Sequence, residues 1–392
     1  MTRSEARTQE FDWTVDETAM WPPRGRPRRP FGPTMLEIMR TCLLRACFEA
    51  STGYEPRLEP SARIGIAFHR TLESLIKDPP PDRRLEVWGS EACKRFLAEL
   101  DHQRAAAATR PRECRLQWDD RRIQAALESV VAEASRLGHL DAAKGHAPRG
   151  LSTQQTSFSA PMVEVPVQSE DGLFQGSVDR VEHTSTGIRL IDMKSTLRND
   201  LPERYERQVQ MYAAMWRDTY GEWPIEAVVI YPLRGTRFQV RIDPETCERV
   251  VSESVALVRR IESEPSKEAL ATPGEVCKVC AFRPWCRPFW TTQAAIASLS
   301  EAISQAAVGW ERVVGSTHRI GETLQLEVRW RSRTVRVVGS SDCFAHLERV
   351  QPGTRLRFLG APLRGSPQLL RAMLAESAEV FLVRPRSSGV SR

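Results

Sequence analysis

From about Pro161 the hydrophobic period of the chain changes from helical to two, and this change constrains the fold more than any other feature. Val163, Val165 and Val167 alternate with polar residues, and a second extended run reaches from about Leu173 to Glu182. Thr184-Ser185-Thr186-Gly187 reads as a turn into a third strand, Ile188 to Met193. A helix is expected from about Pro202 to Tyr220. Two more strands follow, Ala227–Pro232 and Arg237–Ile242, and then a helix from Pro244 to Glu262. Upstream, Thr34 opens a helix running to about Ala50. Pro60-Ser61 opens a second, with Ile64, Phe68, Leu72 and Leu75 on one face. Residues 85–140 read as Ala/Arg-rich helices without strand signal. Helices, three strands, a helix and further strands make an α/β unit with a mixed central sheet.

At 392 residues the chain is long enough for two domains. The first 33 residues, rich in Pro and Arg, read as flexible. A helical insertion is expected over about 80–155 and a linker helix over about Thr292–Ala307, inside a 291–309 connection. Beyond it, Glu322–Trp330, Thr334–Val338, Thr354–Leu359 and Phe381–Val383 read as short strands. They predict a small all-β, OB-like barrel over 310–392. No run approaches the length of a membrane span, and no apolar leader is evident, so a cytoplasmic protein is expected. The net charge is +6, and from Glu311 onward 14 arginines face 7 acids, which suits a polyanionic partner. Arg329, Arg331 and Arg333 lie on the strand face opposite Leu324, Leu326 and Val328, with Arg336, Arg355 and Arg357 extending the stripe, which suits tracking of a single-strand phosphate backbone; a protein-docking module is the second reading.

The sharpest chemical signal is Gly176-Ser177-Val178-Asp179 followed by Asp192-Met193-Lys194. Asp192 and Lys194, two apart on a strand, share a face, and Asp179 meets them across the ladder. Two carboxylates suit a hard divalent ion, and an adjacent lysine suits an attacking water and developing phosphorane charge. Gln208 and Tyr212, four apart, share a face of the following helix. His69, on an apolar helix face, offers a third ligand.

A second signal is Cys277-x2-Cys280-x5-Cys286. Three closely spaced thiols need a fourth ligand, for which Cys42 and Cys47 are the obvious sources. Zinc sites usually pair two C-x2-C knuckles, and only one is present, whereas a [4Fe–4S] cluster tolerates a distant fourth thiolate. The remaining cysteines, 93, 114, 247 and 343, are isolated and read as small hydrophobes.

His69 in a G-x-x-x-H helix, Asp179 after Gly-Ser-Val, Asp192-x-Lys194 and Gln208-x-x-x-Tyr212 together resemble the RecB-like branch of the PD-(D/E)XK nucleases over about residues 34–290. Ser177-Val178 stands where the nominal Pro would be, Asp192 takes the place open to Asp or Glu, and the stretch 85–150 has no counterpart in the motif set. The cysteine pattern is similar to that of the iron–sulfur members, including AddB and CRISPR-associated nucleases. The resemblance implies a restriction-endonuclease-like core and Mg²⁺ or Mn²⁺ held by His69, Asp179 and Asp192. It makes Lys194 catalytic and gives Gln208 and Tyr212 a supporting or DNA-contacting role. It also implies a [4Fe–4S] cluster on Cys42, Cys277, Cys280 and Cys286. Cys42, followed three residues on by an arginine, resembles the family's first ligand, and Cys47 points elsewhere on its helix. The expected function is a metal-dependent DNA nuclease, exonucleolytic by this resemblance, in repair, recombination or phage defence, acting on DNA that is single-stranded. No G-x-x-x-x-G-K-[ST] is present, so unwinding requires a helicase or other motor partner. The alternative is a non-catalytic DNA-binding or assembly subunit of a helicase–nuclease or CRISPR-type complex. A third reading is a zinc-stapled scaffold.

Overall fold

A computed structural model describes residues 13–82, 84–144, 162–294, 309–330, 333–366 and 369–384. Strand β1 (Thr14–Asp16) precedes two short helices, α1 (Pro33–Thr41) and α2 (Leu43–Glu49). The sequence predicted one helix here. Cys42 breaks it, with extended backbone at φ −166°, ψ 111°. Next come α3 (Pro60–Lys77), α4 (Leu85–Ala108) and α5 (Asp120–Lys144).

The central sheet holds β2 (Met162–Gln168), β3 (Gln175–Thr184), β4 (Gly187–Met193), β5 (Glu226–Tyr231) and β6 (Thr236–Arg241), in that spatial order. Only β4 and β5 pair in parallel, because α6 (Glu203–Tyr220) carries the chain back between them. Helix α7 (Pro244–Ser263) starts at Asp243, whose carboxylate accepts from the Thr246 amide at 3.0 Å.

Two hydrophobic layers enclose this sheet. On one side Leu36, Met39, Val209, Met211, Met215 and Val258, from α1, α6 and α7, pack against Val178, Val181 and Val229. On the other, Ile64, Phe68 and Leu72 of α3 join Trp88 and Phe96 of α4 and Val130 of α5 over Ile191, Met193 and Ile230. The helical insertion is therefore the second covering layer of the sheet. Burial of this apolar area from both faces is the dominant favourable term in the fold.

After α8 (Arg287–Ala294), the C-terminal strands are β7 (Trp310–Ile320), β8 (Thr323–Trp330), β9 (Arg333–Ser340), β10 (Arg355–Leu359), β11 (Leu363–Ser366), β12 (Leu369–Met373) and β13 (Glu379–Arg384). The linker helix expected to reach Ala307 lies outside the described residues beyond Ala294. The strand β7 and the hairpin β11–β12 were not legible in the sequence. The spatial order is β1-β13-β10-β7-β8-β9-β12-β11, with β1 and β11 at its two ends. Among the described residues this is an eight-stranded open order rather than the closed barrel expected. Its core is Leu324, Leu326, Val328, Val335, Val337, Leu356 and Phe358.

Residues 13–33, expected to be flexible, are tied to both halves of the molecule. Val15 is buried in β1, which pairs in parallel with β13, and Phe31 is buried in a bridge to Phe174. Arg26 donates to the carbonyls of Ile261, Glu262 and Glu264 at the end of α7. Local composition hid these anchors, because Val15, Arg26 and Phe31 are isolated residues whose partners lie far away in the chain.

The basic stripe also divides. Arg357 is only 2% exposed. It donates to Glu311 Oε2 and to the Pro284 carbonyl, each at 2.7 Å, and pairs with Glu17. Arg355 reaches Glu17 at 2.5 Å and Glu311 at 3.3 Å. Glu17 follows β1 and Glu311 lies on β7, so these pairs stitch the C-terminal sheet together, while the bond to Pro284 ties it to the segment before α8; the two arginines are not a phosphate-binding surface. Arg331 and the side chain of Trp330 lie outside the described residues.

Candidate active site

The β3–β4 hairpin is in register from Thr184 opposite Gly187 to Arg180 opposite Ile191. The next step of that register sets Asp179 against Asp192. Asp179 Oδ2 accepts a 2.6 Å hydrogen bond from the Met193 amide. Asp192 is 2% exposed. Its Oδ1 accepts from Lys194 Nζ at 3.0 Å. Its Oδ2 is equally near the ammonium but lies outside hydrogen-bond geometry, and no donor satisfies it. The Lys194 amide donates to the Ile230 carbonyl at 2.9 Å, which fixes the backbone that carries the ammonium. The ammonium also sits 5.3 Å from the Tyr205 ring centre.

Burial sets the electrostatics. It pushes the Asp179 carboxyl up to about 6, against the opposing pull of Lys194 and the Met193 amide. Burial likewise raises Asp192 to about 6, with Lys194 opposing and Asp179 reinforcing. For Lys194, burial disfavours the charge, but Asp192 and Asp179 outweigh it and hold the ammonium above its ordinary range. Burial lowers His69, helped by Lys194 and opposed by Asp192, so the imidazole is neutral at pH 7.

The glycines of the two motifs have steric reasons. A Cβ on Gly65 would run into the Ser195 hydroxyl, so glycine lets α3 approach the segment after Lys194 without turning that side chain. A Cβ on Gly176 would stand 2.8 Å from the Tyr212 ring. Gln208 and Tyr212 are both buried on α6, and the Tyr212 hydroxyl is shifted up by burial and by Asp192. The sequence-predicted residues thus converge on one end of β3 and β4.

Sequence reasoning missed Glu164. It stands on β2 opposite Asp179, in a ladder that pairs Val163 with Arg180 and Val165 with Val178. It is the one non-glycine residue with positive φ, +48°, among the described residues, and it accepts from Ser177 Oγ at 2.9 Å. Its charge is felt at Asp179, His69 and Tyr212. The signal was an acid inside a Val-x-Val strand, indistinguishable there from an ordinary solvent-facing residue.

Two acids, one with a buried oxygen that no donor satisfies, are the donor set of a hard divalent ion, and in this respect the residues fit one. Among the described residues no three His, Cys, Asp or Glu side chains are grouped closely enough to hold a metal ion. The set His69, Asp179 and Asp192 is therefore not drawn into a three-residue cage.

The cysteines lie apart from this site, and among the described residues they too are not grouped closely enough to hold a single metal ion. Cys42, Cys277, Cys280 and Cys286 line one pocket, walled by Leu44, Phe48 and Val276. Burial raises the thiols of Cys277, Cys280 and Cys286, and each of these feels Cys42. The break between α1 and α2 falls on Cys42 itself. Cys47 is buried elsewhere, with its sulfur 3.2 Å from Lys267 Nζ.

A sequence model described as "PD-(D/E)XK nuclease superfamily" matches residues 30–287, more than half of the chain. The chain belongs to the PD-(D/E)XK nuclease superfamily. Proteins of this superfamily are in general metal-dependent nucleases that act on DNA, typically with Mg²⁺ or Mn²⁺. The mixed sheet between helical layers agrees with the restriction-endonuclease-like core of the superfamily. No curated protein sequence matches the chain. Among solved structures, SSO0001 aligns at 12% identity over 65% of this chain and 95% of its own, with a TM-score of 0.25. The p204 HINb domain aligns at 15% identity over 31% of this chain and 55% of its own, with a TM-score of 0.20. Similarity this low carries no argument about either half of this PD-(D/E)XK protein. No helix among the described residues is long and apolar enough to cross a membrane.

Proposed function

We propose that this PD-(D/E)XK protein is a metal-dependent DNA nuclease that hydrolyses phosphodiester bonds, cutting from an end as the RecB-like resemblance implies. The observation that carries the reading is the buried Asp192, opposite Asp179, with one oxygen bonded to Lys194 and the other unsatisfied. Asp179 and Asp192 would hold a Mg²⁺ or Mn²⁺ ion, which when bound supplies Lewis acidity and a more acidic water. Lys194, fixed by Asp192 and by the hydrogen bond its backbone amide donates to the Ile230 carbonyl, places a positive charge beside the attacked phosphate and orients the nucleophile. His69, held neutral, offers a lone pair on the α3 side. Gln208 and Tyr212 back the site from α6.

We further infer that Cys42, Cys277, Cys280 and Cys286 hold a structural [4Fe–4S] cluster. Support comes from their shared pocket and its apolar walls. Separate iron corners ask for thiolates spread around a cluster, not gathered on one ion. Such a cluster would join α1–α2 to the segment before α8 and close the nuclease domain on itself. Repair, recombination or phage defence, with unwinding supplied by a motor partner, is the setting this chemistry suits.

The test is anaerobic purification followed by incubation with end-labelled single- and double-stranded DNA and either Mg²⁺ or Mn²⁺. Metal-dependent release of labelled product is expected from the wild type and not from Lys194→Ala or Asp192→Ala. Wild-type cleavage in either variant overturns the assignment. Absorbance near 400 nm with stoichiometric iron is expected, and zinc in its place overturns the cluster.

A further inference from the structure

With Arg355 and Arg357 committed to internal ion pairs, a different set of arginines on the C-terminal sheet has no ion pair among the described residues. Arg364 on β11 stands opposite Arg371 on β12. Arg371 in turn stands beside Arg336 on β9, and Arg336 stands opposite Glu327 on β8. Three guanidinium groups thus occupy successive places in one row across three neighbouring strands. Cross-strand partners are about 5 Å apart at Cβ, and like charges placed directly opposite one another are destabilising.

The row faces outward. Leu363, Leu370, Ala372, Val335 and Val337, which alternate with these arginines, are buried. Arg329, two residues along from Glu327, lies on the same outer face. None of Arg329, Arg336, Arg364 and Arg371 forms an ion pair among the described residues, and the Glu327 carboxylate accepts from Ser316 Oγ at 3.3 Å. Flanking Arg371 on the same face of β12 are Leu369, 51% exposed, and Met373, 62% exposed. Four cations against one acid, held on one face of a hydrogen-bonded sheet beside apolar side chains, match a chain of phosphates with bases attached.

We propose that this face, with Arg336, Arg364 and Arg371 as its centre, binds the backbone of single-stranded nucleic acid. The proposal rests on the nuclease reading only for its choice of polyanion. It replaces the Arg329–Arg331–Arg333 stripe by a row that runs across strands. Guanidinium groups on β9, β12 and β11 would each take a phosphate, while Leu369 and Met373 would lie against bases.

The experiment is fluorescence anisotropy of a labelled single-stranded oligonucleotide with the full chain in EDTA, so that nothing is cut, over a series of salt concentrations. Replacing Arg336, Arg364 and Arg371 together by Ala should weaken binding at least tenfold at low salt. The log–log salt slope should fall by about 2, at about 0.7 for each phosphate that is no longer neutralised. The matching triple Lys variant should keep the slope, which separates lost charge from a damaged sheet. A control with Arg121, Arg249 and Arg259 replaced by Ala removes the same charge elsewhere and should bind like the wild type. An unchanged slope in the alanine triple, or an equal loss in the control, overturns the proposal and leaves the face to a protein partner. Cleavage by the same variants at saturating DNA reports on the nuclease reading separately. A chain that binds through this row but never cuts refutes only that reading.

Discussion

The carboxylate of Asp179 and the amide of Met193 are joined by a 2.6 Å hydrogen bond across the open end of the β3–β4 hairpin. The bond does two things. It satisfies a backbone donor just past the last ladder pair, and it holds Asp179 opposite Asp192. Asp179→Asn keeps an acceptor for that amide and removes one of two like charges, while Asp179→Ala leaves a donor unmet. In metal-free protein the melting temperature of the Asn variant should equal or exceed that of the wild type. The Ala variant should lose about 1–3 kcal/mol. Both should lose cleavage by at least about a hundredfold. An Ala variant as stable as the wild type would mean that the hairpin does not need this bond.

The raised carboxyls predict a pH dependence of definite sign. Asp179 and Asp192 hold protons in the fold up to about pH 6, whereas an unfolded aspartate releases its proton near 3.8. Between those values the folded state binds more protons, so metal-free stability falls as pH rises through that window. Asp192→Asn should flatten the fall. A divalent ion needs the ionised acids, so Mn²⁺ affinity should weaken as pH drops below about 6. Melting curves from pH 4 to 7, with and without Mn²⁺, check both signs. A metal-free protein that gains stability over this range contradicts the burial of the pair.

Glu164 occupies the left-handed region of backbone space, where a residue with a Cβ is strained by about 1–3 kcal/mol. Glycine adopts that conformation readily. Glu164→Gly should therefore leave the melting temperature unchanged or raised while lowering cleavage, since a carboxylate that faces Asp179, His69 and Tyr212 is lost. Glu164→Gln keeps the backbone and should lower Mn²⁺ affinity in calorimetry. Full activity in both variants would show that the strain serves only the strand.

Cys42 and Cys47 should respond differently to replacement. Cys42→Ala should lower iron content and melting temperature together, because cluster binding is part of folding. Cys47→Ala should leave iron content unchanged and cost stability only, through the packing around Lys267. Iron analysis and thermal melts on both variants decide this. Iron loss from Cys47→Ala alone would reverse the assignment of the fourth ligand.

The sequence by itself determined the alternation of β2 to β6, the helices around them and the acids of the hairpin, because these follow from periods of two and 3.6 and from turn residues that act locally. Asp179, Asp192 and Lys194 were legible for the same reason: a hairpin with a short turn fixes which residues face each other. Tertiary structure alone decided the rest. It set Glu164 opposite Asp179, a pairing of two strands whose spacing in sequence says nothing of register. It turned the 85–144 helices into the second wall of the sheet, since an amphipathic helix shows that it needs a partner but not which one. It broke the first helix at Cys42 and brought that thiol to residues more than two hundred positions away. It drew Arg355 and Arg357 inward to Glu17 and Glu311 while leaving Arg336, Arg364 and Arg371 in a row. A charge in sequence carries no mark of whether its partner is a carboxylate within the chain or a phosphate outside it, and only the packing of distant segments makes that choice.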